Sequence, residues 1–297
     1  MGGRRVGILY KHSHEPALNE ARKLADWFEK RGIATFLDEI SPKEPANPFE
    51  AFSTIPSTVD WVVVMGGDGT LLGAARRVGR YGAPLLGVNL GGLGFLTSTP
   101  LRSLYPVIES MVSGELEVDS RMMLKASVSR GGRDVCSFHV LNDVVINKGT
   151  LARIIDLAVE VGSESLTTFR ADGLIVSTPT GSTAYNLAAG GPVVHPSIDL
   201  LILTPICPFT LNNRPIIIPK TATVCITMVK ESEREVMLTF DGQVGFTLQH
   251  GDRVEISDSG HRIKLLRTPE SSYFEILRAK LMWGGANLDG KHAASNK

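Results

Sequence analysis

A short apolar segment that runs directly into a glycine turn constrains the fold of this chain more than any other feature. Residues 61–65 (WVVVM) have the length and β-branched composition of a buried strand, and GGDGT follows at 66–70. A helical pattern then continues through Ala75. The glycines allow the backbone to approach a ligand closely, and N–H groups at a helix start favour an anion such as phosphate. We expect Thr70 to cap this helix and Asp68 to lie at the carboxyl end of a parallel strand, where open α/β sheets bind ligands.

Taken alone, GGDGT is explained equally well as a tight strand-to-helix turn with an acidic cap, because short glycine motifs are common. The sequence NLGGLGFL at 89–96 also follows a predicted strand, but it lacks the GxGxxG spacing of a dinucleotide site and is more typical of a structural loop. Asn142-Asp143 could bind ribose hydroxyls, although an ordinary Asx turn is the simpler interpretation of that dipeptide.

The longest run of polar and small residues extends from Asp172 to Pro192 and contains TPTGSTAY at 178–185. Its hydroxyls and glycines can donate and accept hydrogen bonds along a ligand, and we expect Ser182 or Thr183 to cap a helix there. A solvated Ser/Thr loop is the alternative, and such loops are rarely bracketed this tightly by Pro and Gly.

The order of predicted elements indicates two different halves. In the first third, strands alternate with helical patterns, at 5–10, 33–37, 61–65 and 84–88. This alternation is typical of an α/β domain with a mostly parallel, Rossmann-like sheet and helices on both faces. Short β-rich runs begin near residue 119 and cover 124–129, 139–146, 156–161, 173–177, 223–228, 236–240 and 253–256.

We therefore predict an α/β domain over 1–118, a mostly β domain over 119–269, and a C-terminal helix within 270–297 that returns to the first domain. A length of 297 residues suits two domains. The proline-rich stretch 42–49 is typical of a mobile loop, and 284–297 of a frayed end.

Composition excludes several classes of function. Thirty-one basic and 31 acidic residues give no net charge, so there is no global attraction to nucleic acid or to an anionic membrane. Three widely spaced cysteines predict neither a zinc site nor a disulfide framework, and they suit the cytoplasm. No apolar run reaches the roughly 18 residues of a membrane span.

Together these motifs resemble the signature set of NAD kinases. GGDGT, NLGGLGFL, Asn142-Asp143 and the run at 172–196 occur in that family's order and at its spacing. The sequence at 202–217 and FDGQ at 240–243 extend the similarity, which covers residues 4 to about 283. The run at 172–196 is very specific, whereas GGDG also occurs in lipid kinases and in 6-phosphofructokinases.

The resemblance implies a kinase that phosphorylates the 2′-hydroxyl of the adenosine ribose of NAD, giving NADP. The donor that it implies is ATP, with inorganic polyphosphate as an open alternative. It implies that Asp68 is the general base, that Mg²⁺ is held mainly by the donor phosphates rather than by the protein, and that Gly66, Gly67, Gly69 and Thr70 form a phosphate loop. It also implies a homodimer or a homotetramer. The NAD-binding residues that it implies are Asp68, Gly69, Asn142, Asp143, Arg153, Arg170, Asp172, Thr183, Ala184, Tyr185, Asn186, Leu187, Ala188 and Gln243.

One position departs from the family's pattern. The pair at 142–143 is commonly Asn-Glu, so Asp143 is one methylene shorter. Two alternatives remain at this stage, namely a lipid kinase of the diacylglycerol or sphingosine type and a non-catalytic NAD(P) sensor. The first leaves TPTGSTAY and Asn142-Asp143 unexplained, and the sequence has no basic amphipathic helix for a membrane surface. An intact GGDGT argues against the second.

Overall fold

The structure is a computed structural model that describes residues 3–41, 53–149, 154–210, 212–229, 235–268 and 272–283. The predicted loop at 42–49, the predicted NAD contact Arg153 and the predicted frayed end at 284–297 lie outside these ranges.

The first part of the chain alternates strands with helices. Its elements are β1 (Arg5–Lys11), α1 (Glu15–Glu29), β2 (Ala34–Ile40), β3 (Trp61–Met65), α2 (Asp68–Val78), β4 (Leu85–Asn89), β5 (Thr99–Pro100) and α3 (Leu104–Ser113). Strand β1 pairs in parallel with β2 and β3, and β3 pairs in parallel with β4. The predicted mostly parallel sheet is confirmed, while α3 was not predicted.

Helices cover both faces of this parallel sheet, as the alternating pattern predicted. On one face, Phe28 of α1 and Ile108 of α3 are fully buried in one cluster with Ile8 of β1. On the other face, Leu71 of α2 packs with Val62 of β3. Because both faces are buried, the central strands are apolar along their whole length.

The second part of the chain is mostly strand. Its elements are β6 (Glu117–Arg130), β7 (Arg133–Val140), β8 (Asp143–Lys148), β9 (Ile155–Val161), β10 (Glu164–Ala171), β11 (Gly173–Ser177), α4 (Tyr185–Ala188), β12 (Leu200–Ile206), β13 (Ile216–Pro219), β14 (Val224–Met228), β15 (Val236–Phe240), β16 (Val244–Leu248), β17 (Arg253–Arg267) and α5 (Tyr273–Leu281). Six of these strands form an antiparallel sheet in the order β13-β12-β11-β8-β15-β16. The predicted β-rich second half is therefore confirmed.

Strand β17 joins the two kinds of sheet. It pairs antiparallel with β14 and β6, and in parallel with β4 at Leu265. One sheet therefore continues from the parallel strands into the antiparallel ones, in the order β10-β9-β14-β17-β4-β3-β1-β2. The predicted run 253–256 is only the beginning of this 15-residue strand.

The final helix returns to the first part of the chain, as predicted. A capping box of Ser272 and Glu275 starts α5, and Ile276 and Leu277 are buried. Ile276 lines a groove together with Thr99 and Val107. Among the described helices, none is long and apolar enough to cross a membrane.

The core between the two sheets contains a stacked pair of phenylalanines. Phe138 of β7 and Phe240 of β15 have ring centroids 4.3 Å apart, and both side chains are almost fully buried. Phe240 is also the last residue of β15 and the first residue of the FDGQ turn. The position of that turn therefore depends on how these rings pack.

Replacing Phe138 with Ala is expected to lower the free energy of unfolding by about 3 kcal/mol, because the change leaves a cavity between the sheets. Chemical denaturation measures this loss. Val135→Ala on the same strand is the matched control, since Val135 is 43% exposed and its truncation should cost little. A loss below about 1 kcal/mol for Phe138→Ala would show that the rings do not hold the sheets together.

Candidate active site

The turn between β3 and α2 places Asp68 at the start of a helix. A Cβ added to Gly66 would lie 2.3 Å from Thr70 Oγ1, so only glycine fits there. Gly67 is the N-cap residue, and because it has no side chain, this helix start has no side-chain cap. The prediction that Thr70 caps this helix is wrong, because Thr70 lies inside the first turn, where its own N–H donates to the Gly67 carbonyl.

The Asp68 carboxylate binds the second glycine loop. Its Oδ1 accepts hydrogen bonds from Leu96 N at 3.0 Å, Thr97 N at 2.9 Å and Thr97 Oγ1 at 3.0 Å. Its Oδ2 accepts one, from Phe95 N at 2.8 Å. A Cβ on Gly94 would lie 2.2 Å from Oδ1, which explains the glycine at that position. Oδ2 can therefore accept a further hydrogen bond, whereas Oδ1 has no lone pair left for one.

Asn89 holds the same loop from its other end. Its Nδ2 donates to Thr97 Oγ1 at 3.0 Å and to the Gly92 carbonyl at 2.5 Å, and its Oδ1 accepts from Gly91 N at 2.6 Å. The loop at 89–97, which looked structural when taken alone, is thus bonded directly to the aspartate of GGDGT.

A cleft of about 340 Å³ opens between these two loops. We call it the glycine cleft, and it is lined by Lys11, His14, Gly66, Gly67, Asp68, Asn89, Leu90, Gly91, Gly92, Leu93, Gly94 and Lys280. Lys280 comes from the C-terminal helix. Backbone N–H groups of glycines and the start of α2 suit the oxygens of a phosphate chain.

The FDGQ sequence forms the hairpin turn between β15 and β16. Asp241 and Gly242 have φ of 50° and 63°, and Gln243 N donates to the Phe240 carbonyl at 3.0 Å. These are features of a type I′ turn, for which Asp-Gly is among the favoured pairs. The turn directs the Asp241 carboxylate into the protein, where its side chain is fully buried.

The Asp241 carboxylate receives four donors. Oδ1 accepts from the N–H groups of Leu141, Asn142 and Asp143 at 3.1, 2.7 and 3.3 Å, and Oδ2 is 3.2 Å from Arg76 Nη1. Burial raises the pKa of Asp241, while Arg76 and the three amides act in the opposite direction. The predicted single run 139–146 is in fact two strands, because the amides at 141–142 point to Asp241.

Gln243 and Arg76 extend these contacts to GGDGT. Gln243 Nε2 donates to the Gly69 carbonyl at 2.7 Å, and Gln243 Oε1 accepts from Arg76 Nη2. A continuous set of hydrogen bonds therefore runs from the residue after Asp68 to the Asn142-Asp143 turn.

The TPTGSTAY sequence packs on that same turn. Thr178 Oγ1 donates to the Leu141 carbonyl at 2.6 Å, and Ser177 Oγ donates to the Asn142 carbonyl at 3.2 Å. A Cβ on Gly181 would lie 2.2 Å from the Asn142 carbonyl oxygen, so the two segments are in close backbone contact.

The residues at 180–188 form two short helical turns, Thr180–Thr183 and Tyr185–Ala188. The expected cap at Ser182 or Thr183 is wrong, because Ala184 is the N-cap of α4 and Ser182 instead bonds Pro179 and Val194. Tyr185 is 40% exposed and available to a ligand. Thr183 is part-buried, with its hydroxyl 3.4 Å from the Thr180 carbonyl; Ala184, Leu187 and Ala188 complete the segment.

Asn186 is fully buried, and its amide is used inside the protein. Nδ2 donates to the carbonyls of Ser182 and Pro192 at 3.0 Å each, and Oδ1 accepts from Thr204 Oγ1 at 2.6 Å. A Cβ on Gly191 would collide with this amide. The side chain of Asn186 thus holds the segment in place.

Arg170 lies near the end of β10, and Asp172 directly precedes β11. Asp172 Oδ1 is 2.8 Å from Lys148 Nζ, and the Arg170 guanidinium lies 4.9 Å from the Phe209 ring. Since β11 ends at Ser177 beside the Asn142 turn, Asp172 is roughly 17 Å away from that turn. Neither residue makes a hydrogen bond or an ion pair with Asp68 in the described part of the chain.

Asp143 is a buried carboxylate with no side-chain hydrogen bond to any described residue. It is 4% exposed, and burial together with Asp241 raises its pKa to about 7. A carboxyl group with a strongly shifted pKa is characteristic of functional sites.

Sequence reasoning missed Arg76, Asp241 and Thr97. The signal for Asp241 was present, since Asp-Gly between two alternating strands predicts a hairpin turn. Arg76 carried no local signal, because it is an ordinary position on a helix. Within the described ranges, no three His, Cys, Asp or Glu side chains come close enough together to hold a metal ion.

Comparisons with known proteins agree over both parts of the chain. The model of the ATP-NAD kinase N-terminal domain matches residues 6–116, and that of the ATP-NAD kinase C-terminal domain matches residues 141–268. A protein of Geotalea daltonii named NAD kinase is 48% identical over 278 residues, which are 93% of this chain and 98% of the relative. A protein of the same name from Geobacter sulfurreducens is 48% identical over 282 residues, with the same coverage.

Two solved structures share the fold. Yeast NADH kinase complexed with NADH superposes with a TM-score of 0.81 at 21% identity, covering 96% of this chain and 89% of that one. An NAD kinase from Archaeoglobus fulgidus in complex with ATP has a TM-score of 0.69 at 22% identity, covering 94% and 98%.

Replacing Asp143 with Asn is expected to stabilise the unliganded protein at pH 8. The folded-state pKa of about 7 lies above the ordinary value near 3.9, so the folded protein holds more protons between these values. Its stability therefore falls as pH rises from about 4 to 7, and it stays low above that window. The variant should gain about 1 kcal/mol or more at pH 8.

Chemical denaturation at pH 8 and at pH 5 measures this difference, which should shrink at the lower pH. Asp134→Asn is the control, because Asp134 is exposed on β7. A variant that is less stable than the wild type at pH 8 would show that the Asp143 carboxylate has a stabilising partner.

Proposed function

The chain belongs to the NAD kinase family, and we propose how its own residues carry out the reaction of that family. The enzyme phosphorylates the 2′-hydroxyl of the adenosine ribose of NAD and so produces NADP. ATP supplies the phosphoryl group. The similarity extends over both parts of the chain, far beyond GGDGT, which disfavours the lipid-kinase alternative.

Asp68 is the proposed general base. The observation that carries this proposal is the unequal use of its two oxygens: Oδ1 accepts three hydrogen bonds and Oδ2 accepts one. Oδ2 can therefore take the proton of the 2′-hydroxyl while Oδ1 keeps the carboxylate fixed. An alcohol is a weak nucleophile, so a positioned base lowers the barrier.

In the proposed step, the 2′-oxygen forms a bond to the terminal phosphorus of ATP. The bond from that phosphorus to the bridging oxygen breaks, ADP leaves, and the hydroxyl proton moves to Asp68 Oδ2. Gly66, Gly67, Gly69 and Thr70 surround the transferred group from the start of α2, where the helix dipole favours negative charge.

NAD is proposed to lie on the side of Asp68 where the Asn142 turn and TPTGSTAY meet. The unpartnered carboxylate of Asp143 can accept hydrogen bonds from two ribose hydroxyls, even with one methylene fewer than Glu. Tyr185 offers an exposed ring for stacking. The proposed pocket is completed by Asn142, Gln243 and the segment 183–188. Within that segment, Asn186 has a supporting role, because its buried hydrogen bonds hold the backbone in place.

Arg153, Arg170 and Asp172 remain proposed NAD contacts on the strength of the family resemblance. Because Asp172 is far from the Asn142 turn, it would meet a different part of the ligand, or a ligand held by a second subunit. A homodimer or homotetramer is proposed, and light scattering of the purified protein measures its mass.

A divalent cation, Mg²⁺, is proposed as the metal. Mg²⁺ keeps several waters and binds substrate phosphates readily. When bound, it would be held mainly by the donor phosphates and would neutralise their charge, which leaves Asp68 Oδ2 available for the hydroxyl proton. A cytoplasmic location is proposed because all three cysteines are free thiols.

Asp68→Asn is expected to lower kcat by about 10²- to 10⁴-fold, because the amide cannot accept the hydroxyl proton. The KM for NAD should change much less. A coupled assay for NADP with MgATP, and with EDTA as a blank, measures both parameters.

Thr97→Val is the control for the loop-anchoring role of Asp68. It removes the hydroxyl donor to Oδ1, together with the bond that this hydroxyl accepts from Asn89 Nδ2, and leaves Oδ2 unchanged. This variant should keep more than about a tenth of the wild-type kcat, because the Asp68 carboxylate still accepts three of its four hydrogen bonds. Equal losses in the two variants would mean that Asp68 acts only by holding the loop. Tight binding of NAD without any phosphoryl transfer by the wild type would instead favour the sensor alternative.

A further inference from the structure

The glycine cleft carries an excess of positive side chains. Lys11 ends β1, His14 precedes α1, and Lys280 lies one residue before the end of α5. Asp68 is the only carboxylate among the described residues that line the cleft. None of these three basic residues contacts GGDGT through a hydrogen bond or an ion pair in the described part of the chain.

The two lysines have no carboxylate partner among the described residues. Lys280 instead lies 6.0 Å from the ring of Phe95, the residue whose N–H donates to Asp68 Oδ2. Both lysines are exposed, so each ammonium group can move toward a ligand without breaking an existing ion pair. Unpaired ammonium groups beside a glycine loop attract a chain of phosphates.

His14 is oriented by the first turn of α1. Its Nδ1 accepts a hydrogen bond from Ala17 N at 3.2 Å. Since Nδ1 is the acceptor, the other ring nitrogen, Nε2, carries the hydrogen and is a donor. The side chain therefore offers an N–H to an anion in the cleft.

The start of helix α2 adds to this positive potential. This 11-residue helix begins at Asp68, directly after Gly66 and Gly67, and all three residues line the cleft. The N-terminus of a helix carries about half a positive charge. Two lysines, a histidine N–H and one helix start thus line the same cleft.

We propose that Lys280 and Lys11, with the Nε2–H of His14, bind the phosphates of the donor nucleotide. This inference rests on the proposed function and names the donor side of the same site. NAD approaches Asp68 from the Asn142 turn, which is linked to Gly69 through Gln243, while the donor lies in the glycine cleft. The C-terminal helix is then part of the donor site, and its docking through Ile276 and Leu277 brings Lys280 to the phosphates.

The test compares Lys280→Met, Lys280→Arg and Lys11→Met with Arg278→Met. Arg278 is exposed on the same helix and does not line the glycine cleft, so it is a matched control. Methionine keeps the apolar stem and removes the charge, and the exposed positions should tolerate it. Calorimetry measures the dissociation constant of MgATP without NAD, and initial rates give the KM of each substrate.

We expect Lys280→Met and Lys11→Met each to weaken MgATP binding by about 10- to 100-fold, the range of a hydrogen bond to a charged group. The KM for NAD should stay within about twofold, because NAD lies on the other side of Asp68. Lys280→Arg should recover most of the affinity, and Arg278→Met should match the wild type.

MgATP binding within about twofold of the wild type in both methionine variants would overturn the proposal. The same holds if Arg278→Met weakens binding as much as Lys280→Met does, since the effect would then be a general one of surface charge. The binding assay decides this independently of turnover. A wild type that binds MgATP but makes no NADP would contradict the proposed function and leave the donor site standing.

Discussion

The site depends on one buried carboxylate, that of Asp241. A charged group without solvent is costly unless donors surround it, and Asp241 has three backbone amides and a guanidinium. The three amides belong to the Asn142 turn between β7 and β8, and the guanidinium belongs to α2, in a different part of the chain. The charge of Asp241 can therefore be stabilised only when both parts are in place, and that requirement fixes their relative position.

The same hydrogen bonds connect the loop of the proposed base with the proposed NAD pocket. Gln243, in the turn of Asp241, holds the Gly69 carbonyl, and Asn142 follows the amides that Asp241 binds. The proposed base and the proposed NAD pocket are thus held by one turn of four residues. Asp143 next to it makes no side-chain hydrogen bond to the described residues, so its carboxylate can accept hydrogen bonds from ribose hydroxyls.

Much of the fold could be predicted because local patterns and tertiary structure agree. WVVVM is strand β3 with the predicted bounds, and GGDGT does begin a helix. Positions set by distant partners could not be predicted. The break of the run 139–146 is caused by a carboxylate about one hundred residues away, and the caps expected at Thr70 and Ser182 fail because those residues lie inside turns. The proposed NAD contacts at 142–143 and 183–188 came from a family resemblance, and the cations of the glycine cleft carried no sequence signal of their own.

The most direct test is a crystal structure with NAD, Mg²⁺ and a non-hydrolysable ATP analogue bound together. The decisive quantity is the distance from the 2′-oxygen of NAD to Asp68 Oδ2. We predict a hydrogen bond of about 2.6–3.2 Å, with the terminal phosphate of the analogue in the glycine cleft. A 2′-hydroxyl bonded to another side chain, with Oδ2 turned away from it, would contradict the assignment of Asp68 as the base.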